Sequence, residues 1–230
     1  TRAAGYAGVE LFQDCTQGAF GTPQQILDQF NAESMHLIGI SCGSLQERIN
    51  FVTQYAACMK LAPSDYGVPY VYLDDWNESI CRAALEKGIR LALHPHMYRP
   101  VQTLQEAKKR LQQYDFMHYK SMEFMPDTAH LTIAGDDPEA AVYDHFLRIR
   151  AIHVKDWNSN VGRSYQFYAS GFCPLGTGGV KVKETLDVLW KRSFSGWLVI
   201  EHDTSPQPDK DISLSMQWLR ENLPPTLFET

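Results

Sequence analysis

RAIHVKDW, residues 150–157, alternates apolar and polar side chains with the period of a strand. Ile152 and Val154 share one face, His153 and Lys155 the other, and Asp156 and Trp157 close the run. An isolated His on a strand is ordinarily a satisfied core residue. A Lys two places on, on the same face, makes plain burial costly and points to a site. Six more runs read as strands: GVELF (8–12), HLIGIS (36–41), VPYVYLD (68–74), IRLALHPH (89–96), SMEFMPD (121–127) and GWLVIEHD (196–203). Helical patterns are predicted between and after them, over 23–31, 45–61, 78–87, 104–114, 138–149, 182–192 and 212–222. Thr22 is the expected N-cap of the first, with Pro23 at its opening position, and Gly88 is a stop signal after the third.

Strand–helix alternation of this kind means a parallel sheet with helical crossovers. No Pro/Ser/Gly linker or shift of composition divides the chain, so residues 1–230 are expected to form a single β/α domain. Neither GxGxxG nor GxxxxGK[ST] follows any of the strands, which removes the usual signatures of a nucleotide-binding open sheet. The polar residues favour a closed barrel. His94, Asp127, His153 and Glu201 each fall at the C-terminal end of a different predicted strand. An open sheet would spread those ends along a line, whereas a TIM-type barrel brings them to one point, on the face where such barrels carry their active sites.

The bulk composition is that of an ordinary globular chain, 44% hydrophobic and 21% charged over 230 residues, long enough to bury a sizeable core. No apolar run approaches a membrane span, and no secretory or lipidation signal is visible. A net charge of −6 without basic runs weighs against a nucleic-acid partner. Five cysteines without CxxC spacing read as reduced thiols, so a cytoplasmic location is expected.

The candidate ligands are of metal-binding type. His94 and His96, two apart on a strand, point to one face. Asp127 ends its strand and His130 follows three residues on, in the turn. Glu201 ends an otherwise apolar strand, and Glu10 in GVELF is placed alike; a carboxylate facing a barrel interior needs a cation or donor to offset its desolvation. Two imidazoles and two carboxylates suit one divalent Mn, Co, Fe or Zn ion better than Ca²⁺. Trp76, Tyr98, Trp157 and Phe172 are placed on or near loops at the same face, where aromatic rings can stack on a sugar but more often simply pack. Residues 159–179 form a long Gly/Ser/aromatic loop, a candidate lid.

GYAGVEL, LALHPHM, DTAHLTIAGDDP, IHVKDW and GTGGVKVKETLDVLWKRSFSGWLVIEHD together resemble the xylose isomerase-like TIM-barrel superfamily, and among its members the inosose dehydratases most, with sugar phosphate isomerase/epimerases and ketose 3-epimerases further off. The resemblance covers nearly the whole chain and is most specific in its second half. It implies one divalent metal held by His94, Asp127, His153 and Glu201, with His130 of D-x-x-H and Lys155 of H-x-K-D facing substrate. Two features depart from the epimerase pattern. His94 stands where those enzymes carry a Glu that serves as a second base, which points away from two-carboxylate proton exchange and toward dehydration. Only seven strands are found, so the first strand of the eight-stranded barrel is expected to be lacking.

The implied chemistry is loss of water from a small keto-polyol or sugar through an enolate. Glu201, His130 and Lys155 are the catalytic candidates, and Glu10, His96 and Trp157 the substrate-binding ones. Glu201 and His130 are both candidate bases. Return of the proton without loss of hydroxyl would make the same apparatus a sugar or sugar phosphate isomerase or epimerase. The three-metal DNA-repair endonucleases of the superfamily are a poor match, because His36, His118, His145 and His202 do not repeat their ligand pattern. A barrel without its first strand that binds but does not turn over is the non-enzymatic alternative. The expected partner is a small-molecule sugar or polyol, without nucleic acid or membrane, and the sequence is compatible with a homo-oligomer.

Overall fold

The apolar β-branched runs form strands in the computed structural model, which describes residues 1–12, 18–41, 43–73, 77–116, 122–162 and 165–225. The chain divides into two compact units, Ala7–Met125 and Pro126–Thr230, the latter joined by Thr1–Tyr6.

In the first unit, β1 (Gly8–Leu11), β2 (His36–Ile40), β3 (Tyr70–Leu73), β4 (Leu91–Leu93) and β5 (Met122–Phe124) make one parallel sheet in sequence order. The crossovers are α1 (Pro23–Ala32), α2 (Leu45–Met59) and α3 (Glu78–Glu86), with α4 (Leu104–Phe116) leading into β5. Thr22 caps α1 as expected: its hydroxyl accepts from Gln25 N while the Gln25 side chain accepts from Thr22 N, and Pro23 opens the helix. Ser44 and Glu47 repeat the device on α2. Gly88, at φ 74°, turns the chain out of α3. Ile26, Ile40, Val52, Val71, Leu91 and Phe124 are buried, each contributing roughly 1.5–3 kcal/mol through removal of apolar surface from water.

The second unit contains α5 (Thr128–Ile133), α6 (Pro138–His145), β6 (Ala151–Val154), β7 (Asp156–Trp157), β8 (Phe172–Cys173), α7 (Val182–Lys191), β9 (Trp197–Ile200) and α8 (Pro208–Asn222). β6 and β9 pair in parallel; β7 and β8 form a short antiparallel ribbon. Ile152, Val154, Leu131, Val142, Leu186 and Leu189 are buried in it.

All seven predicted strands are present, each shorter than its predicted run. The run predicted over 121–127 stops at Phe124. Pro126 has no N–H for a ladder, and Asp127 turns its side chain back to cap α5, so the predicted turn around His130 is a helix. The helix predicted over 138–149 ends at His145 and continues as a 3₁₀ turn, Phe146–Arg148. The loop predicted over 159–179 holds a 3₁₀ segment, Tyr165–Gly171, followed by β8. Trp76, Cys15, Cys42 and His118 lie outside the described residues. Cys58, Cys81 and Cys173 are free thiols. No described helix is long and apolar enough to cross a membrane.

Candidate active site

Asp127 is where the second unit's chemistry begins. Its Oδ1 accepts from Ala129 N at 2.9 Å and His130 N at 2.8 Å, which fixes the carboxylate at the start of α5. His153 N donates to Pro126 O, and Asp127 bridges to His153 in parallel fashion, so the Asp127 backbone lies against β6. Oδ2 of Asp127 consequently faces the polar side of β6, 3.7 Å from His153 Nδ1 and 3.6 Å from Lys155 Nζ. Thr128 locks the junction: its hydroxyl donates to Lys155 O and accepts from Lys155 N.

β9 pairs with β6 in register, His153 opposite Val199 and Val154 opposite Ile200. Glu201, one residue past β9, therefore meets the end of β6. Its Oε2 is 2.7 Å from His153 Nδ1 and 3.0 Å from Lys155 Nζ. Lys155 also donates to Asp203 Oδ2 at 2.9 Å and stands 3.5 Å from His130 Nε2. Asp127, His130, His153 and Lys155 are wholly buried, whereas the Asp203 side chain is 37% exposed and opens the cluster to solvent.

Charge sets the protonation states. Burial alone would raise the Glu201 carboxyl, but Lys155 and His153 beside it reverse this and hold it well below the usual carboxylate range. Burial alone would favour a neutral Lys155; Glu201, Asp127 and Asp203 outweigh it and keep the ammonium above the ordinary lysine range. Burial pushes the Asp203 carboxyl up to about 6, with Lys155 opposing and Glu201 reinforcing the shift.

An apolar wall adjoins these groups. Tyr168 and Phe172 each lie 5.7 Å from the His130 ring, edge-on, and Lys155 Nζ sits 4.6 Å over the Phe172 ring. The Trp157 indole N–H donates to Tyr168 O, so this ring, expected to meet substrate, ties the 3₁₀ segment to β7. Asp156 anchors the next loop, its carboxylate accepting from the backbone N–H groups of Trp157, Gly176, Gly178 and Val180.

The other predicted residues belong to the first unit. Glu10 is half-buried on β1, where the register with β2 shifts. His94 and His96 follow β4 with ring centroids 5.7 Å apart; His94 is wholly buried, its ring 4.3 Å from that of Tyr72 and tilted 39° to it. His94 Nδ1 lies 3.2 Å from Met125 O. A carbonyl only accepts, so this contact places the proton on Nδ1 and makes Nε2 the acceptor nitrogen, the tautomer a metal-ligating imidazole needs. His96 Nδ1 is 2.6 Å from Met97 O, and Tyr98 is exposed.

The donor set fits a divalent ion. Asp127 Oδ2 and His153 Nδ1, both wholly buried and 3.7 Å apart, are donors that could share such an ion, whereas Glu201 Oε2 stands at hydrogen-bond distance, 2.7 Å, from the same nitrogen and would have to part from it to become a ligand. The carboxylates of Asp127, Glu201 and Asp203 face one ammonium, so the cluster carries an excess of negative charge that a divalent cation would offset. Asp203 was not singled out in the sequence. Its signal was its position two residues beyond Glu201, the spacing that gives His153 and Lys155 their common face.

The profile of the xylose isomerase-like TIM barrel family matches residues 63–222. Among curated proteins the chain is 27% identical over 150 residues to an inosose dehydratase of Geobacillus thermodenitrificans, covering 60% of this chain and 49% of that protein. It is 29% identical over 131 residues to an inosose dehydratase of Salmonella typhimurium, covering 52% of this chain and 42% of that protein. The chain thus spans about half the length of the curated relatives it matches. Among solved structures, a probable 3-DHS dehydratase of Bacillus anthracis superposes with TM-score 0.68 at 16% identity, over 94% of this chain and 89% of that one. A 3-keto-D-glucoside 4-epimerase of E. coli does so with TM-score 0.68 at 14% identity, over 96% and 91%. The seven-strand alternation, the polar strand ends and the profile match agree: the chain belongs to the xylose isomerase-like TIM barrel family.

Proposed function

We propose that the protein is a divalent-metal-dependent hydro-lyase that removes water from a small keto-polyol of the inosose type. The observation that carries the reading is the cluster in which Asp127, Glu201 and Asp203 face the single ammonium of Lys155 beside His153, an excess of negative charge that a divalent ion would offset. Asp127, His153 and Glu201 would hold the ion, and His94 is the fourth ligand on the strength of the family resemblance. Residues 1–230 are taken as one barrel domain in this proposal, and the free thiols fit a cytoplasmic location. When bound, the ion supplies Lewis acidity that polarises a substrate carbonyl and acidifies the neighbouring C–H.

The residues divide the remaining work by basicity. A carboxylate whose lone pairs are committed to a metal ion, as those of Glu201 would be, is a weak base. That leaves His130, wholly buried beside Lys155, as the group that takes the α proton. The Lys155 ammonium donates to the oxygen on which negative charge develops. His130, now protonated, delivers its proton to the departing hydroxyl, and water leaves as the double bond forms. Glu10, His96 and Trp157 keep their proposed place around substrate. The apolar face of Tyr168 and Phe172 would keep water from His130.

The test is product analysis with a keto-inositol and a ketohexose in the presence of Mn²⁺. An unsaturated or dicarbonyl product with loss of water supports dehydration. Interconversion of epimers or of aldose and ketose without loss of water would replace it with the isomerase/epimerase reading, which uses the same proton abstraction.

A further inference from the structure

Lys155 poses a problem for any cation bound beside it. Its ammonium lies 3.0 Å from Glu201 Oε2 and 3.6 Å from Asp127 Oδ2, the oxygens that would hold the ion. A fixed positive charge there competes with a metal for both carboxylates and repels it. The chain supplies a third acceptor, Asp203 Oδ2, at 2.9 Å from the same nitrogen and with the best hydrogen-bond geometry of the three. Asp203 sits beyond Glu201 on the turn that follows β9, and its side chain is partly open to solvent. It can therefore take up the ammonium's charge without itself being needed as a ligand.

We propose that Asp203 is a positioning residue that retains Lys155 and so releases Asp127 and Glu201 to bind the metal. The inference rests on the metal-dependent reading above and adds a residue to it. With Asp203 present, one ammonium is matched by one carboxylate, and two carboxylates remain for a divalent ion. Without it, Lys155 has only Glu201 and Asp127 to turn to, and metal binding must break those contacts. Partners of this kind, which orient the groups around a metal without touching it, typically change metal affinity 10–100-fold when removed.

The experiment is isothermal titration of the metal-free full chain with Mn²⁺, in five forms: wild type, Asp203→Asn, Asp203→Glu, Lys155→Met and the Asp203→Asn, Lys155→Met double variant. Circular dichroism checks that each is folded. Asp203→Asn, which keeps the shape and removes the charge, is expected to weaken Mn²⁺ binding about tenfold. In the Lys155→Met background the same change is expected to matter less than about twofold, because the ammonium it manages is gone. Asp203→Glu, which keeps the charge, is expected to restore most of the affinity. An equal loss in both backgrounds would show that Asp203 acts on the metal directly and would overturn the proposal, as would an Asp203→Asn variant that binds like wild type. A folded wild type that takes up no Mn²⁺ would instead overturn the metal-dependent reading on which it rests.

Discussion

Nδ1 of His153 lies 2.7 Å from Oε2 of Glu201, although the two residues are 48 positions apart and on different strands. The in-register pairing of β6 with β9 makes the contact, and a one-residue slip would turn one of the side chains to the opposite face. The contact ties the His153–Asp156 run to the Glu that follows β9 through backbone geometry.

Lys155 is the cation of the metal-free cluster. Lys155→Met leaves Asp127, Glu201 and Asp203 together without it. The metal-free variant is expected to lose about 3–5 kcal/mol of stability in urea melts, the usual result of stranding buried charge. Saturating Mn²⁺ is expected to recover much of that loss through preferential binding to the folded state. A variant as stable as wild type without metal would show that the ammonium does not neutralise the cluster.

His130 is assigned to the proton. His130→Gln is expected to lower kcat by about 10²–10⁴-fold, the usual contribution of a general base or acid, while leaving Mn²⁺ affinity within about threefold. Steady-state kinetics and titration calorimetry on the same preparation separate the two. Loss of metal binding together with activity would make His130 a ligand.

Asp156 organises the glycine loop. Asp156→Ala removes the acceptor for four backbone N–H groups and is expected to cost about 2–4 kcal/mol. Gly178→Ala drives a methyl against the Asp156 carboxylate and is expected to destabilise by about 1–3 kcal/mol. Urea melts check both, and neutral results would show that the loop does not depend on this carboxylate.

Tyr6 supplies a pH dependence away from the cluster. Burial pushes its phenol up from 10.0 to about 12, and its O–H donates to Ile212 O. Between those two pH values the folded state holds a proton that the unfolded chain has lost, so stability falls as pH rises through that window. Tyr6→Phe is expected to make the fall shallower at the cost of about 1 kcal/mol at neutral pH, for the lost hydrogen bond. Urea midpoints at pH 8, 10 and 11 check the slope, and an unchanged slope would contradict the assignment.

Much of this was legible in the sequence because period-2 and period-3.6 patterns survive wherever one face is buried. RAIHVKDW and GWLVIEHD announced β6 and β9, and Thr22-Pro23 announced α1. The family was read from short motifs, and the profile match bears the family out. Less legible was anything that depended on a local competition for backbone hydrogen bonds. Asp127 does two things at once, bridging to His153 in parallel and capping α5, and no strand or helix pattern shows both. The hydrogen bond from the Trp157 indole to Tyr168 O joins residues eleven positions apart and is invisible to any short-range pattern. Asp203 escaped notice because its importance comes from Lys155, 48 positions earlier.

Elemental analysis tests most directly whether Asp127, His153 and Glu201 hold a divalent ion. Wild-type protein and a His153→Ala, Glu201→Ala double variant would be reconstituted with Mn, Co, Fe or Zn, desalted and measured for metal per chain. The account predicts about one ion per wild-type chain and none in the folded variant. A folded wild type without metal after reconstitution, or a variant that keeps its ion, would contradict it.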